Sequence, residues 1–121
     1  MKKSRDPVQQ LEELTNRAVE LENMDMNVEA AEAFAVAADA AEQIGRTDEA
    51  RMLRTYMRRN LVVRWAQKRW PDQRPIGRNE VIPQTSYAGI PHKKEIRLFR
   101  VSLRHRDIFV KIDRRGRIRV A

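Results

Sequence analysis

The sequence predicts an α+β protein: an N-terminal antiparallel unit of three helices, a proline-rich connector, and a C-terminal three-stranded antiparallel β-meander. Three observations lead there. Up to residue 70 the apolar side chains recur at three- and four-residue intervals. Residues 71–94 lose that period and hold four prolines and two glycines. From Glu95 onward apolar and cationic residues alternate. A helix face repeats about every 3.6 residues and a strand face every second residue, so the change of period marks a change of structure. With 121 residues the chain is expected to form one domain, since single domains commonly run about 100–200 residues. Its parts are helices over 6–70, connector over 71–94 and meander over 95–121, with one modest core.

The first helix begins at "SRDPVQQ", where Asp6 caps, Pro7 takes the first helical position and Gln9 completes a capping-box spacing. Val8, Leu11, Leu14, Ala18, Leu21 and Met24 make its apolar stripe. The second follows Asn27, read as its cap, and presents Ala30, Ala31, Phe34, Ala37, Ala38, Ala41 and Ile44 on one broad face until Gly45 ends it. Thr47 is read as the cap of the third, with Asp48 and Glu49 set against the positive end of the helix dipole. That helix runs to Trp70, and Pro71 stops it. Met52, Leu53, Tyr56, Val63 and Trp70 are expected to face the first two helices. Arg51, Arg54, Arg58, Arg69 and Trp65 fall within about 60° of arc on another side, at 100° per residue. Trp65 in that setting suits cation–π or base stacking, or, together with Leu61, the docking of the sheet.

Small side chains on the second helix let neighbouring backbones come close. The stretch "NVEAAEAFAVAADAAEQIGRTDEARML" resembles the tetratricopeptide-type helical hairpin, with Ala30, Phe34 and Ala37 at that family's small–large–small spacing. Gly45 and the "RTDEA" after it resemble the turn that opens the next unit. The resemblance covers residues 11–57. The spacing from Ala30 to Ala50 is 20 residues, against about 34 in the family, and the closing proline is missing. It therefore implies a TPR-like three-helix arrangement, not a repeat array, and with it a capacity to bind other proteins.

The connector is read as an extended segment crossing the helices, with a short strand around Val81–Ile82. Tyr87 and His92 on it are candidate contact residues. In the meander, a turn centred on His105 and Arg106 is expected to set Leu103 opposite Ile108, Val101 opposite Val110 and Phe99 opposite Ile112. A three-residue "RRG" loop then puts Gly116 at positive φ, pairing Ile112 with Ile118 and Val110 with Val120. A one-residue slip would send arginines into the core. The opposite face carries Arg100, Ser102, Arg104, Phe109, Lys111, Arg117 and Arg119. Like charges on adjacent strands repel, so such a face is not built for stability. A Phe amid cations is the pattern of a stacking platform ringed by phosphate contacts. A second small core under Leu98 and Phe109 is the plainer alternative.

Charge sharpens the reading. Residues 1–50 hold five Lys/Arg against twelve Asp/Glu, a net −7, and residues 51–121 hold twenty against five, a net +15. Sixteen of those twenty cations are arginine, whose planar fork suits phosphate and whose face stacks on bases. A coding bias toward arginine would not explain the acidic first half. The chain has no cysteine, so disulfides and thiolate metal sites are excluded. Its two histidines, His92 and His105, lack metal-ligand spacing. No apolar run nears the roughly 18 residues of a membrane span, and "MKKSRDPVQQLEEL" lacks the apolar region of a secretory signal. The expectation is a soluble cytoplasmic protein with no cofactor and no membrane partner.

No glycine-rich phosphate loop or nucleophile motif is present. The leading expectation is non-catalytic nucleic-acid binding, RNA or single strands before duplex DNA. Its candidate residues are Arg54, Arg58, Trp65, Arg100, Arg104, Phe109, Lys111, Arg117 and Arg119. The alternatives are a protein-interaction module, as adaptor or inhibitor, and a small basic ribonuclease using His105 and Tyr87 for acid–base work. A homodimer joining the acidic half of one chain to the basic half of another is a further expectation.

Overall fold

The computed structural model describes residues 6–84 and 95–121, so Tyr87 and His92 lie outside the described residues. The three helices are α1 (Pro7–Asn23), α2 (Asn27–Gln43) and α3 (Thr47–Arg69). Asp6 Oδ1 accepts the Val8 N–H at 3.0 Å, and Pro7 opens the helix behind it. Asn27 and Thr47, read from sequence as caps, are instead the first helical residues, after Met26 and Arg46. The two turns share one construction, 20 residues apart. Asp25 (φ 59°) and Gly45 (φ 80°) take the left-handed conformation. Met26 N–H then donates to Leu21 O at 3.0 Å, and Arg46 N–H to Ala41 O at 2.9 Å. Met26 O and Arg46 O in turn accept from Ala30 and Ala50. One residue closes each helix and opens the next, so the turn has no position left for a separate cap. Asn27 holds the turn from inside, its Nδ2 donating to Asp25 Oδ1 at 3.0 Å.

The helices bury Leu11, Ala18, Leu21, Ala30, Phe34, Ala37, Ala38, Ala41, Ala50 and Leu53 in one cluster. Phe34 meets Tyr56 edge to face at 5.6 Å, a contact worth about 0.5–1.5 kcal/mol beyond the area it buries. Met24 and Met52, expected inside, are exposed; the first helix ends before Met24 reaches its stripe.

A second cluster replaces the single core expected. α3 has 23 residues against 17 in α2, so it outruns its neighbour by about 9 Å. Along that extension Val62, Val63 and Ala66 pack against Ile76, Val81, Phe99, Val101, Leu103, Val110 and Ile112. Val63 and Trp70 thus face the sheet and not the first two helices.

After a single 3-10 turn (Arg78–Glu80) come β1 (Val81–Pro83), β2 (Leu98–Ser102), β3 (Asp107–Ile112) and β4 (Ile118–Val120). They form an antiparallel sheet in the order β1-β2-β3-β4, one strand more than the meander expected. The β3–β4 register is the expected one, with Val110 opposite Val120 and Ile112 opposite Ile118. Gly116 sits at φ 82° in its loop. The β2–β3 register differs by two residues: Phe99 faces Val110, and Val101 faces Ile108. The tight turn is at Arg104–His105, closed by Leu103 N–H to Arg106 O at 2.9 Å. A two-residue shift keeps every side chain on its expected face and changes only its partner, because the strand period is two. Burial fades toward β4, whose Val120 is half-exposed at 48%: α3 lies across β1 and β2.

Two carboxylates tie the layers together. Glu22 of α1 accepts from Arg59 Nη2 at 2.8 Å and Asn60 Nδ2 at 2.7 Å, both on α3. It also pairs with Arg78 at 3.4 Å. Glu95 accepts from Arg58 at 2.6 Å and Arg97 at 3.0 Å, with Arg54 at 3.6 Å.

Candidate nucleic-acid interface

The outer face of the sheet is set by strand parity. One row across it reads Ile82, Arg100, Phe109, and the next reads Leu98, Lys111, Arg119. Phe109 thus has Arg100 beside it and Lys111 two residues along its own strand, while Asp107 lies on the same face, its Oδ1 accepting from Ser102 Oγ at 2.8 Å. Phe109 is 45% exposed; Lys111, Arg117 and Arg119 are exposed, and Arg100 is half-buried, with its Nε buried and without a partner. The two-residue shift matters here, because it puts Arg100 directly opposite Phe109, not opposite Lys111 as the expected register had it. Lys111 and Arg119 stay opposite each other. That like-charged pair works against the sheet.

The rim adds further cations. The β3–β4 loop holds Arg114 and Arg115 beside Arg117, all exposed. Asp113 Oδ1 shapes this loop by accepting the N–H groups of Arg115 (2.8 Å) and Arg117 (2.9 Å). The Arg117 N–H above all, joined by that of Arg115 and both guanidinium charges, holds the Asp113 carboxyl below the usual range, against the desolvation that raises it. At the other end Arg104, His105 and Arg106 stand exposed in the β2–β3 turn. The Arg104 N–H is fixed to Gln73 Oε1 at 2.7 Å. Of these sheet-borne cations, from Arg100 to Arg119, none has a carboxylate partner among the described residues.

Helix α3 is different. Arg58 is 6% exposed and engaged by Glu95. Burial pulls its pKa below the ordinary guanidinium value, outweighing the Glu95 hydrogen bond and charge that raise it; arginine remains charged nonetheless. Arg54 is clamped by Glu42, with Asp39 at 3.6 Å, and the Glu42 hydrogen bond is the main cause that raises its pKa. The structure thus separates the expected cationic residues. Arg54 and Arg58 lie on the helix with their charges engaged, while Arg100, Arg104, Lys111, Arg117 and Arg119 lie on the sheet and its turns and form no ion pair among the described residues.

Trp65 is half-buried, packed against the α3–sheet core and edge to face with Trp70 at 5.3 Å. Arg69 lies over both rings, at 5.5 and 5.6 Å. Trp65 thus sits at the docking contact with the sheet, and its cation–π partner is Arg69. Ile82 on the outer face was not singled out from sequence, although the strand expected at Val81–Ile82 carries the parity that puts it there. The pairing of Glu22 and Glu95 with arginines some 37 residues away left no local signal.

A shallow depression of about 450 Å³ lies between the end of α3 and the following segment, lined by Gln67, Trp70, Gln73, Arg74, Ile76 and Glu80 among others. Among the described residues no group of His, Asp and Glu is placed to hold a metal ion. No helix among the described residues is long and apolar enough to cross a membrane. No protein-family model matches the chain, and no curated protein or solved structure matches it. The TPR-like resemblance rests on the quoted residues alone.

Proposed function

We propose that this protein binds single-stranded nucleic acid, RNA foremost, without catalysis, through the outer face of its sheet. One observation carries the reading: the cations of that face have no carboxylate partners among the described residues, while those buried along α3 do. A chain that neutralises the buried arginines of α3 and leaves a like-charged pair such as Lys111 and Arg119 side by side gains nothing in stability from the latter. A polyanion would relieve that repulsion. Phosphates would lie against Arg100, Lys111, Arg117 and Arg119, with Arg104 at the rim, and an unstacked base would lie on Phe109.

Duplex reading through the major groove needs a helix or ribbon that can enter it. The arginine-rich helix here is held between α2 and the sheet, and Arg54, Arg58 and Arg59 are engaged with carboxylates. A flat strand face favours single strands. The competing reading is a protein-interaction module, and it draws on exposed apolar and acidic side chains of α2. The ribonuclease reading has His105 at an exposed turn, with Tyr87 outside the described residues.

The test is anisotropy of labelled single-stranded RNA, single-stranded DNA and duplex DNA across a salt series. On a single strand, log affinity falls with log salt by roughly 0.7 per neutralised phosphate. Salt-sensitive binding that ranks single strands first is the expected result. Absence of salt-sensitive binding to any of the three near physiological ionic strength overturns the reading. A stoichiometric protein that co-purifies and survives nuclease treatment would put the protein-interaction reading in its place.

A further inference from the structure

Helix α2 packs against both α1 and α3 and buries Ala30, Ala31, Phe34, Ala37, Ala38 and Ala41. What it leaves outside is a strip of Val28, Glu29, Glu32, Val36 and Asp39, within about 100° of arc and about 16 Å long. Val28 is 42% and Val36 53% exposed. Glu29 and Glu32 make no ion pair among the described residues, and Asp39, which reaches Arg54 at 3.6 Å, keeps most of its side chain in solvent. The strip combines two apolar and three acidic side chains. The outer face of the sheet sets Phe109 among Arg100, Lys111 and Arg119, over a patch about 10 Å across three strands and about 7 Å between rows. Val28 and Val36 on the strip and Phe109, Lys111 and Arg119 on the sheet are all exposed.

We propose that the outer sheet face of one copy docks on the α2 strip of a second copy. Phe109 would lie against the valines, with Lys111, Arg119 and Arg100 facing Glu29, Glu32 and Asp39. Charge complementarity selects this occupant, because the two faces have opposite net sign and each carries exposed apolar side chains, Val28 and Val36 on one and Phe109 on the other. The contact joins unlike surfaces, so it is head to tail and propagates as an open chain or closes as a ring. It uses the side chains assigned to nucleic acid. Resting on that reading, a further consequence is that a polyanion and a second copy compete, and binding of nucleic acid releases monomers.

Sedimentation measures this directly. The wild-type mass should rise with concentration at low salt and return to that of a monomer at high salt. Glu29→Gln with Glu32→Gln removes one face, and Lys111→Gln with Arg119→Gln removes the other; all four positions are exposed, and circular dichroism checks that the variants are folded. Each double variant alone should be monomeric, and an equimolar mixture should form a 1:1 dimer and nothing larger, since one good face remains on each. A wild type that stays monomeric at millimolar concentration and low salt overturns the proposal, as does a mixture that forms no dimer. Single-stranded RNA should lower the wild-type mass. The Glu29→Gln, Glu32→Gln variant keeps the sheet intact, so its RNA affinity judges the nucleic-acid reading whatever the sedimentation shows. With the competitor gone, that affinity should rise severalfold when measured at protein concentrations where the wild type associates.

Discussion

Glu95 stands 2.6 Å from Arg58, oxygen to nitrogen, across a sequence separation of 37 residues. The pair fastens the chain just ahead of β2 to the middle of α3, where the helical cluster gives way to the helix–sheet cluster. Arg58 is almost fully buried, so that carboxylate is what compensates its charge. Removing the partner strands a buried donor, which costs about 1–3 kcal/mol or more for a charged group.

Glu95→Gln should therefore lower the melting midpoint, and its effect should depend on pH. Burial raises the Glu95 pKa, but the Arg58 hydrogen bond and the charges of Arg58, Arg54 and Arg97 outweigh it, leaving the group below its ordinary 4.5. A carboxyl held low when folded contributes stability that is complete above its unfolded value and lost as pH falls through its folded value. The gap between wild type and Glu95→Gln should be widest near neutral pH and close as pH falls below 4.5. A gap that persists unchanged in acid would show that the charge is not what matters.

Val110 is fully buried between Phe99 on β2 and Val120 on β4. Val110→Ala should destabilise by about 1–3 kcal/mol through lost burial and a small cavity. A double-mutant cycle tests the register: Val110 should couple to Phe99 and not to Ala substitution at the solvent-facing Lys111. An unchanged denaturation midpoint for Val110→Ala would refute the packing.

These elements also show how far the residues could be read without coordinates. Helix faces and strand faces were legible because they depend only on period, and period is local. The helix ends were less so: Asn27 and Thr47 have the chemistry of caps, but each turn assigns that position to the preceding residue. The β2–β3 partners were illegible at the level of two residues, since either register buries the same valines. The division of the arginines was the largest gap. Arg58 and Arg119 look alike in sequence, and only the fold brings Glu95 to one and leaves the other in solvent.

That division makes a prediction of its own. Arg59, paired with the buried Glu22, should behave as a structural residue. Arg59→Met should lower the melting midpoint yet leave the salt slope of RNA binding unchanged in the folded protein. Lys111→Gln should do the opposite, weakening binding with little effect on the midpoint. Comparable binding losses from both would mean that helix α3 also touches the ligand.

His105 is an exposed residue of the β2–β3 turn. RNA incubated with the purified protein should be recovered intact, and His105→Ala should bind it as the wild type does. Protein-dependent cleavage that disappears in His105→Ala would overturn the non-catalytic reading.

The last prediction separates the two kinds of contact assigned to the sheet. Arg100 and Arg117 act by charge, so removing both should weaken RNA binding and flatten the plot of log affinity against log salt. If both reach phosphate, the slope should fall by roughly 1.4, at about 0.7 for each contact on a single strand. Phe109 acts by its ring. Phe109→Ala should weaken binding by about 1–3 kcal/mol with little change of slope, because stacking releases few counterions. The half-exposed ring contributes little to either core, so this variant should keep its melting midpoint. Arg100 is half-buried, and Arg100→Lys keeps the charge where Arg100→Ala removes both charge and packing. If Phe109→Ala flattens the slope as much as the arginine pair does, the two substitutions are disturbing one structure. If it leaves affinity untouched, the base does not lie on the ring, and the face binds phosphate alone.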